Sequence, residues 1–120
     1  MPGRLTLPAR LRLRRKSDFD AVQARGTRIG DGFFAVTVTA NPCGTARLGL
    51  AVAVRAAGGS VARNRLRRII RESFRLHQRE IPAVDLVVSA RPRAGTATGA
   101  TLRDSLAALW KKVAETCATS

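Results

Sequence analysis

The amino-acid sequence predicts an α/β (α+β) two-layer sandwich, in which helices cover a small mixed sheet, with the element order α-β-β-α-β-α. Two stretches alternate between apolar and smaller or polar residues, as half-buried strands do, and the run DLVVSA is apolar enough for a buried strand. Other stretches repeat apolar residues at helical spacing. In chain order the predicted elements are 17–24, 33–40, 47–55, 58–79, 85–90 and 101–117.

The length of 120 residues predicts one domain. We expect that domain to span 13–117, after a basic flexible arm at 1–12 and before a frayed tail at 118–120. The arm carries arginines, no acid, and Pro2, Gly3 and Pro8. It is either a disordered terminus without a role or a phosphate-contacting arm that becomes ordered on binding.

The first predicted helix begins at Ser17, a good N-cap, and ends near Ala24, before Gly26. Asp18 and Asp20 suit the positive end of the helix dipole.

The next two strands, 33–40 and 47–55, are expected to pair as a hairpin across the turn Asn41-Pro42-Cys43-Gly44. One face of this pair is strongly apolar and should carry helices. The other face has small residues, such as Gly49 and Ala51. It either forms an open cleft that a backbone can approach closely, or lets the first helix pack closely.

The stretch GGSVARNRLRRIIRESFRLHQR is predicted to be one amphipathic helix, ending before Pro82. At about 100° per residue, one arc of this helix is apolar and should face the sheet, and the opposite arc is rich in arginine. The inward arc comprises Leu66, Ile69, Ile70, Ser73, Phe74, Leu76 and His77. Guanidinium groups four residues apart, at Arg63, Arg67, Arg71 and Arg75, suit a row of phosphates.

The overall charge indicates a polyanionic partner. Lys and Arg number 22 against 8 Asp and Glu, giving a formal net charge of +14. No apolar run is long enough for a membrane span or a secretory signal, so we expect a cytoplasmic protein. Cys43 and Cys117 are expected to be reduced thiols.

The residues of the chain offer no catalytic or metal site. His77 is the only histidine, the two cysteines are far apart, and the acids are scattered. If the protein takes part in a hydrolysis, another molecule is expected to perform the chemistry.

The ordered motif Arg63-Asn64-Arg65, Arg67-Arg68 and Arg71, with GGSVA before it and Phe74 after it, resembles the signature helix of the bacterial ribonuclease P protein subunit. The resemblance runs from about residue 11 to 115. It implies the fold of ribosomal protein S5 domain 2, with a left-handed βαβ crossover. It also implies that the protein binds the catalytic RNA and the 5′ leader of precursor tRNA, while the RNA removes the leader with Mg²⁺.

The resemblance also implies three groups of binding residues. The basic helix would bind RNA through Arg63, Asn64, Arg65, Arg67, Arg68, Arg71 and Arg75. A cleft for the single-stranded leader would be lined by Phe19, Phe33, Thr37 and Ala51. The basic arm would contribute Arg12, Arg14 and Arg15.

The main alternative is a generic RNA-binding or ribosome-associated protein without a ribozyme partner, which composition alone fits equally well. A DNA-binding module would need a preceding turn-helix or a dimerising stripe, and neither is visible. A membrane-surface protein would need the apolar side of the basic helix that the sheet requires. We therefore expect neither a DNA nor a membrane partner.

Overall fold

The computed structural model describes residues 11–13, 15–41, 44–52 and 58–118. The predicted fold class and the order α-β-β-α-β-α are confirmed, with one additional short strand, β1, after the first helix. The elements are α1 (Lys16–Arg25), β1 (Thr27–Gly30), β2 (Phe34–Ala40), β3 (Arg47–Ala51), α2 (Ser60–Leu76), β4 (Val84–Ala90) and α3 (Gly99–Ala118). Short 3₁₀ turns follow α2 at Gln78–Glu80 and β4 at Pro92–Thr96.

The four strands form one mixed sheet in the order β1-β2-β4-β3. The predicted hairpin between β2 and β3 is therefore wrong, because β4 lies between them, antiparallel to β2 and parallel to β3. A continuous buried run suits a central strand, and β4 is buried from Val84 to Val88. Arg47 of β3 and Asp85 of β4 lie side by side and make a bidentate ion pair, with both N–O distances 2.8 Å.

Helices α2 and α3 pack on one face of the sheet and enclose the main core. Trp110 of α3 meets Phe74 of α2 edge to face, with ring centroids 5.9 Å apart, and its Nε1–H donates to Ser73 Oγ at 2.8 Å. Within the described ranges, no helix has both the length and the apolar composition that crossing a membrane requires. Leu76 was predicted to face inward, but its side chain is 66% exposed. It lies at the edge of the inward arc and is the last residue of α2, where the chain turns away.

Helix α1 packs on the opposite face of the sheet. Leu13 and Val22 form a second small core there with Val87, and Phe19 packs against it. The helix begins at Lys16 rather than Ser17, and Arg15 stands at the N-cap without a side-chain hydrogen bond. Gly26 brings the end of α1 so close to Thr37 that a Cβ would clash with its methyl group. At this end of the sheet, the small residues let α1 pack closely.

The turn between β1 and β2 is held by Asp31. Its Oδ1 accepts hydrogen bonds from the N–H groups of Phe33 and Phe34, at 2.8 and 2.9 Å, and its Oδ2 accepts one from Ser105 of α3. Burial alone raises the pKa of Asp31, but these hydrogen bonds and the positive charge of Lys112 outweigh it and lower the pKa below its ordinary value. The ionised carboxylate thus ties the sheet to α3.

Candidate nucleic-acid interface

Helix α2 exposes an arginine-rich strip to solvent because its opposite side is buried in the core. Leu66, Ile70 and Phe74 have no exposed surface. Their spacing turns Asn64, Arg67, Arg68 and Arg71 outward, where these four residues line one shallow depression. Asn64 and Arg68 are exposed, whereas Arg67 and Arg71 are half-buried. We call these four residues the α2 strip.

A second, smaller pocket lies where the α2 strip meets the outer edge of β3. The segment 11–13 runs along that edge: Arg12 bridges Leu48 in parallel, and Leu13 N donates to Leu48 O at 2.8 Å. This contact brings the side chain of Arg12 to Arg67 and Arg71. The pocket has a volume of about 260 Å³ and is lined by Arg12, Leu13, Phe19, Leu48, Leu50, Arg67 and Arg71. We call it the arginine pocket.

The arginine pocket concentrates positive charge. The Nε atoms of Arg12 and Arg67 are buried and have no hydrogen-bond partner among the described residues. Burial lowers the pKa of Arg71, and the neighbouring charges of Arg67 and Arg12 lower it further. None of the described residues that line the pocket is an acid. The pocket thus brings three cationic side chains together without a described acid beside them.

Phe19 forms the apolar wall of the arginine pocket and owes its position to Gly49. A Cβ at Gly49 would lie 2.9 Å from Phe19 Cζ and 3.1 Å from Leu13 Cβ. Only glycine therefore lets α1 rest its aromatic ring directly on β3. The ring is partly buried against the Leu13 cluster.

The structure does not gather the four predicted cleft residues into one site. Thr37 is only 6% exposed, and its Oγ1 lies 3.4 Å from Gln23 Oε1 of α1. Ala51 is exposed at the end of β3. Phe33 precedes β2 and packs against the main core, with the guanidinium of Arg93 5.1 Å from its ring centroid. Of the four, Phe19 alone lines the arginine pocket.

The predicted arginines of the basic helix divide into several groups. Arg63 Nε donates to Val52 O at 2.8 Å, and an Nη of Arg65 donates to Ala97 O at 2.9 Å, so both tie α2 to neighbouring segments. Arg75 lines a separate depression at the far end of α2, together with Leu76 and Arg79. The outward positions of Asn64, Arg67, Arg68 and Arg71 match the predicted basic face.

The predicted basic arm is only partly within the described residues. Arg14 lies outside them, as do residues 1–10. Leu11 is 3% exposed and belongs to the main core, so the packed domain already includes residues 11 and 12. Arg15 is exposed, and its carbonyl accepts hydrogen bonds from the first turn of α1.

Sequence reasoning missed that Arg12 joins Arg67 and Arg71. Arg12 was predicted to belong to the basic flexible arm at 1–12, although the alternation Leu11-Arg12-Leu13 indicates a short edge segment with two inward leucines. In the described ranges, no group of three His, Cys, Asp or Glu side chains is placed to hold a metal ion. The ring of His77 is half-buried, with Nδ1 2.8 Å from Ser73 O.

The fold and these two surfaces define a small basic α/β protein with a candidate nucleic-acid interface. The family model for Ribonuclease P matches residues 7–114. The chain belongs to the ribonuclease P protein family, which confirms the resemblance seen in the basic helix. It is accordingly a component of ribonuclease P, an endoribonuclease complex of tRNA processing.

Individual relatives agree with this assignment. The chain is 41% identical over 104 residues to the ribonuclease P protein component of Halorhodospira halophila, covering 86% of this chain and 85% of that protein. It is 36% identical over 109 residues to the ribonuclease P protein component of Escherichia coli O157:H7, covering 91% of this chain and 92% of that protein.

Solved structures of the family share the fold. The ribonuclease P protein of Staphylococcus aureus superimposes with a TM-score of 0.81 at 31% identity, covering 85% of this chain and 94% of that one. The ribonuclease P protein from Thermotoga maritima superimposes with a TM-score of 0.76 at 31% identity, covering 84% of this chain and 96% of that one.

Proposed function

We propose that this chain binds the catalytic RNA of ribonuclease P and the 5′ leader of precursor tRNA, and so promotes Mg²⁺-dependent endonucleolytic removal of the leader. The observation that supports this most is the meeting of the α2 strip with the arginine pocket. An open row of guanidinium groups and a narrow cationic pocket lie next to each other, so two RNA segments can be held side by side.

The α2 strip suits the catalytic RNA. Its outward side chains can neutralise phosphates of a folded RNA surface, and each contact releases condensed counterions. Neutralisation by arginine lowers the bulk Mg²⁺ needed to hold two RNAs together. Asn64 adds a donor and an acceptor that arginine lacks.

The arginine pocket suits a single strand, because its volume is only about 260 Å³ and an apolar wall lies beside its cations. The chemical step belongs to the RNA. Mg²⁺ is expected on the RNA as well, since the acids of the described chain form no cluster that fits the ion.

The decisive experiment is cleavage of a leader-bearing precursor tRNA by a bacterial ribonuclease P RNA at low Mg²⁺, with and without the protein. We expect strong stimulation that shrinks when the leader is trimmed to one nucleotide. Arg67→Gln should reduce the stimulation. Arg28→Gln is the matched control, because it removes the same charge from an exposed residue of β1. Tight, salt-dependent RNA binding without stimulation would instead favour a generic RNA-binding protein.

A further inference from the structure

The motif Arg63-Asn64-Arg65 exposes only its middle residue. Asn64 is exposed, whereas the arginines on either side of it are half-buried. Arg63 Nε donates to Val52 O at 2.8 Å, and an Nη of Arg65 donates to Ala97 O at 2.9 Å. Both arginines therefore make hydrogen bonds within the protein, and Arg63 makes its bond through Nε, the guanidinium nitrogen nearest to the helix.

The start of α2 is where such a bond has the most effect. In the described start of the helix, the N-cap Gly59 makes no side-chain hydrogen bond, and the first turn carries no acid that would match the helix dipole. Gly58 and Gly59 have φ angles of 92° and 141°, which glycine adopts more readily than other residues. Contacts from the following turn therefore have to hold this end of the helix in place.

The bond from Arg63 joins α2 to the end of β3. Val52 follows Ala51, whose pairing with Ser89 is the last in the ladder between β3 and β4. Val52 is only 6% exposed, and a buried main-chain carbonyl needs a hydrogen-bond partner. The Arg63 side chain supplies that partner and thereby fixes the distance between the end of β3 and the beginning of α2.

The residues that follow Arg63 depend on this distance. Asn64 is the next residue, and Arg67 lies one turn further along, where it lines both the α2 strip and the arginine pocket beside Leu50 of β3. Because the helix moves as a unit, a shift of its first turn displaces these side chains together. Binding groups have to be held to within about 0.5 Å of their working positions, so a small shift weakens several contacts at once.

We infer that Arg63 is a positioning residue, whose Nε–H bond to the Val52 carbonyl sets the start of α2 and so places Asn64 and Arg67 for the catalytic RNA. This assignment replaces the prediction that Arg63 belongs to a row of phosphate-binding guanidinium groups. With Nε engaged by Val52, the side-on pair of donors, Nε and its neighbouring Nη, is already in use. The inference rests on the proposed function.

Two substitutions separate the hydrogen bond of Arg63 from its charge. In glutamine, Nε2 stands at the same number of bonds from Cα as the Nε of arginine, so Arg63→Gln keeps a donor for Val52 O and removes the charge. In lysine, a methylene group takes that place, so Arg63→Lys keeps the charge and loses the donor there. Arginine, glutamine and lysine have similar helix propensities, so the helix itself is not altered.

The first measurement is the dissociation constant of the full-length protein for a bacterial ribonuclease P RNA, at several salt concentrations. Arg68→Gln and Arg68→Lys are the matched pair, because Arg68 is exposed on the α2 strip. Arg28→Gln, on the exposed side of β1, controls for the loss of one charge from the whole protein. Circular dichroism checks that each variant is folded.

We expect the two positions to respond in opposite ways. Arg63→Lys should weaken binding roughly fivefold, which is the size of one lost hydrogen bond, whereas Arg63→Gln should weaken it by less than about twofold and leave the salt dependence unchanged. Arg68→Gln should weaken binding about tenfold and flatten the dependence of log K on log salt by about 0.9, whereas Arg68→Lys should recover most of the affinity.

The second measurement needs no RNA. Amide hydrogen exchange of the free protein reports how often the first turns of α2 open. Arg63→Lys should speed exchange over 60–66 about fivefold, and Arg63→Gln should exchange at close to the wild-type rate. If none of the variants, those of Arg68 included, changes RNA binding, the proposed function fails, and exchange alone still decides whether Arg63 positions the helix.

Three results would overturn the inference. If Arg63→Lys binds as wild type and Arg63→Gln loses both affinity and salt dependence, then Arg63 contacts a phosphate. If Arg63→Gln loses as much affinity as Arg63→Lys, a donor at the Nε position is not sufficient. If both variants bind and exchange as wild type, the bond to Val52 does not position α2. Should Arg63→Lys not fold, Arg63→Gln decides alone: affinity close to wild type supports the inference, and a tenfold loss refutes it.

Discussion

Replacing Gly49 with alanine tests whether Phe19 rests on β3. The new Cβ would lie 2.9 and 3.0 Å from two ring carbons of Phe19 and 3.1 Å from Leu13 Cβ, against about 3.5–4.0 Å for a relaxed carbon contact. Overpacking of this kind costs about 1–3 kcal/mol. Alanine recovers about 0.4–1 kcal/mol by restricting the unfolded chain, which leaves a net loss of about 1–2 kcal/mol.

The assay is thermal unfolding followed by circular dichroism at constant salt. Gly49→Ala should lower the melting temperature by roughly 4–8 °C. Gly99→Ala is the matched control, because a Cβ there meets only the guanidinium end of Arg103, which can move aside. Because no clash offsets the gain from a more restricted unfolded chain there, the stability of Gly99→Ala should rise by about 0.4–1 kcal/mol.

A double-mutant cycle assigns the cost to Phe19. In a Phe19→Ala background, the alanine at position 49 should cost about 1 kcal/mol less than in wild type, since only the contact with Leu13 Cβ remains. Equal costs in the two backgrounds, or a Gly49→Ala protein as stable as wild type, would refute the argument that glycine seats the ring.

Three further predictions concern other parts of the molecule. The pKa of Asp31 is lower in the folded protein than in the unfolded chain, where it is about 4, so the ionised carboxylate stabilises the fold fully above about pH 4 and this stability is lost as the pH falls through the lower folded pKa. In urea unfolding, the stability difference between wild type and Asp31→Asn should therefore shrink from pH 6 to pH 2.5. A constant difference would contradict the role of the Asp31 charge. Ser73→Ala should cost about 1–3 kcal/mol in chemical unfolding, because Trp110 Nε1–H loses its partner in the core; a change below about 0.5 kcal/mol would show that this hydrogen bond contributes little. Arg68→Ala should weaken RNA binding and flatten the dependence of log K on log salt by about one; an unchanged slope would remove Arg68 from the interface.

Much of the fold follows from local pattern, because period and burial are properties of short segments. The buried run of β4 and the two faces of α2 are visible in the sequence for this reason. The strand order is not, because alternation shows that β2 and β3 each have an apolar face but does not say which strand lies beside them. Strand β1 has four residues and no buried side chain, so it carries almost no hydrophobic signal.

The candidate site follows from the sequence only in part, for a similar reason. The outward position of Arg67, Arg68 and Arg71 depends on helical geometry alone. The convergence of Arg12 with Arg67 and Arg71 depends on the pairing of Arg12 with Leu48, more than 30 residues further along the chain, and no local period encodes that pairing. Thr37 was predicted to line the cleft, but α1 covers it, because strand alternation does not distinguish an open face from one that a helix covers.

The central position of β4 also determines how late the sheet can be completed while the chain is being synthesised. Strands β1 and β2 can pair as soon as both have left the ribosome, but β2 and β3 stay unconnected until β4, which ends at Ala90, has been synthesised. Until then α2 has no complete sheet to cover Ile70 and Phe74. Closure of the sheet is a non-local step and is correspondingly slow. The nascent chain therefore carries its arginines before it can arrange them, and a specific RNA-binding surface arises only when the last third of the chain has been added.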